Sequence, residues 1–365
     1  MSMTKKSKEP LFHISKRADI SKGKAWGVRL IVVLLALIVC AIVIVAITHQ
    51  NPLQVYAGIV DGALGTKRRV WVTIREVAVL LLIAIGLTPA FRMKFWNIGA
   101  EGQILMGGMA SAAIMIYLGG KLPNALMIIL IFIASILAGM IWGVIPAIFK
   151  AWKNTNETLF TLMLNYIAIQ LVTVAVVFWE NPEGSNSIGV INPESHGGWF
   201  PQWFGGYGFT VVIVALITGL LSVYMSRSKQ GYEIAVVGES QNTARYAAIN
   251  VKKVIIRTMM ISGGVCGLAG AVIVSGASHT ISTSTAGGRG FTAIIVAWMS
   301  KFNPWAMVLV SMFLVFMQQG SIQIATQFGL NENASDIITG ILLFFLIGGE
   351  FFINYAVKFR KKKEA

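Results

Sequence analysis

The stretch Phe95-Trp96-Asn97-Ile98-Gly99-Ala100-Glu101-Gly102-Gln103 breaks an otherwise apolar run in this 365-residue chain. Two glycines, two amides and a carboxylate stand where a membrane helix would carry aliphatic side chains. Inside a bilayer, irregular backbone persists only where it lines a cavity or is buried in protein. A second interruption, Ser282-Thr283-Ser284-Thr285-Ala286-Gly287-Gly288-Arg289-Gly290, lies far downstream. The fold reading grows outward from these two breaks.

Around them the chain is 56% hydrophobic and 12% charged. Apolar runs of about 18 residues or more recur, enough to cross a hydrocarbon core roughly 30 Å thick. The expected fold is an all-α polytopic membrane bundle of about ten spans. They cover residues 30–48, 71–90, 95–118, 123–149, 158–179, 209–225, 254–275, 283–299 (the weakest), 305–324 and 336–357. Residues 1–29 and 358–365 read as basic tails, and 30–357 as the membrane domain. The run at 30–48 is longer than a signal-peptide core, and no small-residue cleavage site follows it, so it is expected to remain as the first span.

The broken spans are the second members of two four-span sets, 71–179 and 254–357. The first set enters the membrane in the opposite sense to the second. This is the pattern of inverted repeats, in which substrate pathways run through paired broken helices. Gly263, Gly267, Ala271 and Ser275 are spaced by four, as are Gly139 and Gly143. Such faces let helices approach closely, within the chain or against a partner subunit.

The formal net charge of +15 does not indicate nucleic acid. Lys and Arg concentrate in the two tails and in the loop 227–253, the distribution that sets membrane orientation. Both termini and that loop are expected on the cytoplasmic side of a multi-pass cell-membrane protein. Residues 181–207, which lack Lys and Arg, are expected outside. The cluster Lys67, Arg68 and Arg69 opposes this assignment. Trp26, Trp152, Trp179, Trp199 and Trp203 fall near span ends and read as interfacial anchors.

No nucleophile elbow, zinc-protease motif or phosphate loop is present. Four scattered histidines (His13, His49, His196, His279) lack metal-ligand spacing, and Cys40 and Cys266 read as small buried hydrophobes. Neither a catalytic nor a metal site is expected. Arg75, Glu76, Glu101, Asp336 and Glu350 are the ionisable groups placed at depth, where charges are functional candidates; Asp336 also suits a helix N-terminus. The residues assigned to a translocation pathway are Asn97, Glu101, Gln103, Asn165, Ser284 and Thr285. Glu101 is expected mainly to cap free backbone N–H groups, with substrate contact as the alternative. In the loop, Ser240 can cap a short helix over residues 240–248. Ala244, Ala247 and Ala248 fall on one side of it, a face suited to docking.

At these residues the chain resembles a known family. Residues 96–103, WNIGAEGQ, are similar to a signature of the permease subunits of binding-protein-dependent ABC importers, in the branch that carries simple sugars, branched-chain amino acids and nucleosides. Asn156-Glu157-Thr158 with Met163-Leu164-Asn165-Tyr166-Ile167-Ala168 is most similar to the nucleoside and simple-sugar members. Gly231-Tyr232-Glu233, Val237-Gly238-Glu239 and Ala244-Arg245-Tyr246-Ala247 resemble the cytoplasmic coupling loop. Gly290-Phe291-Thr292-Ala293-Ile294 with Asn303-Pro304 resembles the second broken region. Two positions depart from the pattern. Ala248 stands where relatives often carry Gly, and Trp298-Met299-Ser300 replaces a usually smaller, glycine-containing stretch.

The resemblance implies a type II importer fold and a neutral solute, foremost a purine nucleoside. It implies a second permease subunit, two cytoplasmic ATPase subunits and an extracytoplasmic binding lipoprotein. ATP would bind the ATPases, and this chain would hold no cofactor. Gly238, Glu239, Ala244, Arg245 and Ala247 would couple the permease to the ATPase. The competing readings are a permease for simple sugars or branched-chain amino acids, an ion-coupled secondary transporter, and a membrane-embedded enzyme. The acid chain of a proton-coupled pump and a catalytic constellation are both absent from the sequence.

Overall fold

The computed structural model describes residues 12–17, 21–48, 51–329 and 332–359. These are helical nearly throughout and divide into two compact units. One comprises residues 66–315; the other comprises the described residues of 1–65 and 316–365. Eight described helices are long and apolar enough to cross a membrane.

The smaller unit begins with strand β1 (Phe12–Lys16), helix α1 (Lys22–Thr48) and helix α2 (Pro52–Leu64). It ends with the last part of α12 (Pro304–Gln327), then α13 (Glu332–Asn354) and β2 (Tyr355–Phe359). Among its described side chains, helix α1 buries the narrow stripe Val32, Ala36, Cys40 and Ile44, against α13, while Leu30, Leu34, Ile38 and Ile42 stay exposed. An apolar helix that leaves most of its aliphatic surface uncovered is built for lipid or for another protein. Helix α2 was not expected; Asn51 caps it and Pro52 opens it, the favoured N-terminal pair. The last expected span also stops early. The helix ends at Asn354, and Tyr355–Phe359 pairs antiparallel with β1, Ile14 opposite Val357.

The larger unit runs α3 (Lys67–Arg92), α4 (Ala100–Leu118), α5 (Asn124–Lys153), α6 (Glu157–Trp179), α7 (Gly208–Arg227), α8 (Lys229–Glu239), α9 (Gln241–Tyr246), α10 (Val251–Ile273), α11 (Arg289–Met299) and the start of α12. Helix α10 lies at its centre, packed on α3, α4 and α5. A β-carbon at Gly267 would collide with the Ser135 carbonyl of α5, and one at Gly139 with the Gly263 carbonyl. The small-residue faces are therefore used inside the chain, α5 against α10. Helices this close gain dispersion contacts that larger side chains would prevent.

The weakest expected span is only half a helix. Residues 282–288 are non-helical, and α11 has 11 residues, about 16 Å long. Gly287 and Gly288 take the left-handed conformation that turns the chain into α11. At the first break the helix likewise starts late, at Ala100 rather than Phe95. The loop 227–253 is two short helices, α8 and α9.

The segment 181–207 folds over the ends of α4, α5 and α10 opposite to α8 and α9. Asn192 donates to the Met115 carbonyl at 2.7 Å, Gly198 N–H to Asn124 Oδ1 at 2.7 Å, and Phe200 N–H to the Ser275 carbonyl at 3.0 Å. Trp199 stacks on His279 with ring centroids 3.7 Å apart. Burial, then the nearby His196 and Arg75, push the His279 imidazole down to about 4.

Candidate functional site

At the first break, residues 95–99 leave α3 and run as non-helical backbone before α4 begins. Their backbone is satisfied partly by backbone carbonyls, partly by Asn97 itself and partly by side chains of α6. Asn97 Oδ1 accepts from Gly99 N–H at 3.0 Å, and its Nδ2 donates to Gln103 Oε1 and to Ser262 Oγ of α10, both at 3.3 Å. From α6, Thr161 Oγ1 accepts from Ile98 N–H at 3.2 Å. Asn165 accepts from Gly102 N–H at 2.9 Å and donates to the Ile98 carbonyl at 3.0 Å. Asn97, Gln103, Asn165, Thr161 and Ser262 are all buried. The break is thus a closed network, and its polar atoms are committed to one another. Trp142 Nε1, buried beside Gly102, has no partner.

Glu101 acts as the cap expected of it, although on a different helix. Its carboxylate accepts from Gly290 N–H of α11 at 2.9 Å. The two broken regions are therefore joined directly, N-terminus to N-terminus. They meet again at the far end of α11, where the Trp96 and Trp298 rings stack 5.4 Å apart and Phe91 packs edge-on against both. The large Trp298 thus stacks on the aromatic side chain of the first break while both rings stay partly exposed.

The second break is held by charge. Arg289 Nε and Nη2 donate to Glu76 Oε2 of α3 at 3.0 and 2.9 Å, and its Nη1 reaches the Thr285 and Ala286 carbonyls at 3.4 Å. The other oxygen of Glu76 takes Arg75 Nη2 at 2.6 Å. Arg75 also lies 4.6 Å from the centre of the Tyr207 ring. With Glu101, two carboxylates balance two guanidiniums, so the buried group is formally neutral. Around it the loop carries hydroxyls: Ser282 Oγ lies 3.0 Å from Ser284 Oγ, and Thr285 Oγ1 accepts from Ser282 N–H at 2.8 Å. Thr283 and Ser284 are exposed, and Thr285 is half-buried.

Helices α8 and α9 pack onto the α3 end of the first break. A β-carbon at Gly238 would collide with the Arg92 carbonyl. Ser240 caps α9 as expected, accepting from Thr243 N–H at 3.3 Å. The expected alanine face is split: Ala247 and Ala248 are exposed, whereas Ala244 turns inward. Ala244 is buried in one cluster with Met93, Phe95, Val237, Val254 and Met259, because the chain closes back onto α10 directly after α9. Glu239, Arg245, Tyr246 and Ala247 are exposed. Ala248 sits at φ +57°, the conformation that favours the glycine its relatives often carry there. Arg257 of α10 pairs with Glu233 of α8 at 2.8 Å.

Residues 72–347 fit the branched-chain amino acid transport system / permease component family. The chain belongs to that family. The permease is 28% identical to the guanosine ABC transporter permease protein NupP of Bacillus subtilis (strain 168) over 344 residues, 93% of this chain and 97% of the relative. It is 26% identical to the nucleoside ABC transporter permease protein NupB of Lactococcus lactis subsp. cremoris (strain MG1363) over 331 residues, 87% and 90% of the two chains. It is 25% identical to the glucose ABC transporter permease protein TsgB13 of Haloferax volcanii over 362 residues, 94% and 93%. With its apolar helices, the family membership makes this permease a multi-pass membrane protein.

Of the residues singled out in the sequence, the structure gathers Asn97, Gln103 and Asn165 around the first break, and Glu101 ties that break to α11 through Gly290 N–H. Ser284 and Thr285 stand on the loop before α11. Sequence reading missed Thr161, Ser262 and the Arg289–Glu76 clamp. One signal was available: a buried intramembrane carboxylate calls for a cation, and Arg289 was the cation lying in a break.

Proposed function

We propose that this permease forms the translocation pathway of an ATP-driven importer for a nucleoside, foremost a purine nucleoside. The observation that carries the proposal is the near full-length similarity to guanosine and nucleoside permeases. The neutral, hydroxyl-bearing second break supports it, since a solute without charge needs hydrogen bonds rather than ion partners. The similarity to a glucose permease keeps simple sugars as the second reading.

In this proposal Ser284 and Thr285 line the route, and Asn97, Glu101, Gln103 and Asn165 shape it from behind. Both termini, α8 and α9 face the cytoplasm of a cell-membrane transporter. A second permease completes the pathway, cytoplasmic ATPases bind the nucleotide, and an external binding lipoprotein delivers the solute. The permease itself catalyses no reaction and holds no cofactor. Glu239, Arg245 and Ala247, with Tyr246, contact the ATPase. Gly238 and Ala244 pass its movement inward, because Gly238 packs on the Arg92–Met93 backbone and Ala244 shares a packed core with Phe95, both next to the first break. A bistable packed core can relay such a shift without a continuous wire of polar contacts.

The test is uptake of labelled guanosine, adenosine, ribose, glucose and leucine in cells with and without the gene. Guanosine uptake should depend on the gene and stop on ATP depletion with ion gradients clamped. Dependence of sugar or leucine uptake alone would overturn the nucleoside assignment, and uptake that survives ATP depletion would overturn the importer. Single cysteines at Ser187 and Asn242, probed with an impermeant thiol reagent on intact cells, test orientation; labelling at 242 and not at 187 would reverse it.

A further inference from the structure

Glu76 lies nine residues into α3, about 13 Å along the helix from Lys67. Its partner Arg289 ties residues 282–288 to that level of α3, inside the expected span 71–90. Non-helical backbone at that depth, with Thr283, Ser284, Gly287 and Gly288 exposed, is incompatible with a lipid-facing surface. It must face an aqueous route or another protein. The clamp leaves little freedom. Arg289 spends three nitrogens on Glu76 and on two loop carbonyls, and Glu101 fixes the next residue, Gly290. What the clamp presents is a pair of exposed hydroxyls, each able to donate and accept.

We infer that Thr283 and Ser284 are specificity-determining residues that read the ribose hydroxyls of the passing solute, and that Arg289 is the positioning residue that aims them. The inference rests on the nucleoside reading above. A ribose offers vicinal hydroxyls whose donor–acceptor character matches that of two serine-type side chains on one turn. Glu76 adds a charge criterion. By pairing with both Arg75 and Arg289, with Glu101 nearby as the second carboxylate, it leaves the loop without an unpaired guanidinium to attract a phosphate, so a nucleoside is favoured over a nucleotide.

The test uses the full complex in proteoliposomes, with guanosine and 2′,3′-dideoxyguanosine each preloaded on the binding protein. The double variant Thr283→Val/Ser284→Ala should lower guanosine transport about fivefold to tenfold, the value of a hydrogen bond or two. It should leave dideoxyguanosine transport near the wild-type rate, so the ratio of the two collapses. Thr283→Ser should keep the wild-type ratio. Arg289→Lys should lower the same ratio while the protein remains monodisperse, which a merely structural role would not do. Wild-type nucleoside transport with an unchanged ratio in the double variant, or an equal fall for both solutes, overturns this inference alone. No nucleoside transport by the wild type overturns it together with the function on which it rests.

Discussion

The two breaks solve one physical problem in opposite ways. Residues 95–99 satisfy Asn97, Ile98 and Gly99 internally, with the Asn97 amide and with amides and hydroxyls from α4, α6 and α10. Residues 282–288 anchor themselves with a buried ion pair and leave hydroxyls outward. A neutral amide network makes a rigid, sealed floor. An ion pair behind an exposed loop makes a presented surface. The difference teaches that a broken helix is not by itself a binding site; what matters is where its polar atoms are spent.

The comparison breaks most severely at Glu76, the one carboxylate serving two arginines. Glu76→Gln leaves two guanidiniums without their counter-ion, and uncompensated buried charge costs about 3–5 kcal/mol. Arg289→Gln should cost less, because Glu76 keeps Arg75. The check is the thermal unfolding midpoint in detergent, with Glu76→Gln the lower of the two. If Arg289→Gln is the more damaging, the second break is not held in the way described.

At the first break, Asn165→Leu strands Gly102 N–H and the Ile98 carbonyl. Each unsatisfied group costs about 1–3 kcal/mol. A clear fall in the midpoint and in folded yield is expected. An unchanged midpoint would mean that the network is not closed.

Much of this was legible in the sequence, and the limits have physical causes. Glycines and polar groups inside apolar runs located both breaks, since a bilayer tolerates them only with compensation. Their partners were not legible. Asn165 meets Gly102 across 63 positions and Arg289 meets Glu76 across 213, and periodicity reports a helix face rather than what lies opposite. Membrane helices weaken even that signal, because lipid-facing and core-facing sides are both apolar. The exposed stripe of α1 and its buried stripe are equally aliphatic. Ala244 misled for a related reason: a small residue suits an outer docking face and a tight inner contact alike.

The corner after α9 supplies a control outside both breaks. Ala248 holds a left-handed conformation at φ +57°, which costs an L-residue roughly 1–2 kcal/mol. Ala248→Gly should raise the unfolding midpoint by the equivalent of about 1 kcal/mol or somewhat less, because glycine loses more entropy on folding. A lower midpoint would mean that this corner is unstrained.

The smallest effect should come from the substitution most like Asn165→Leu in chemistry. Ser284→Ala also removes a polar group from a broken helix. Its hydroxyl, however, is exposed and touches only Ser282 Oγ, at 3.0 Å. No buried donor or acceptor is stranded when it goes, so stability should move by less than about 0.5 kcal/mol, as for surface sites generally. The same deletion at the two breaks should therefore separate cleanly: collapse of the fold at Asn165, and an intact fold with altered transport at Ser284. Equal destabilisation at both sites would mean that the second break is as closed as the first, and that no surface is presented there.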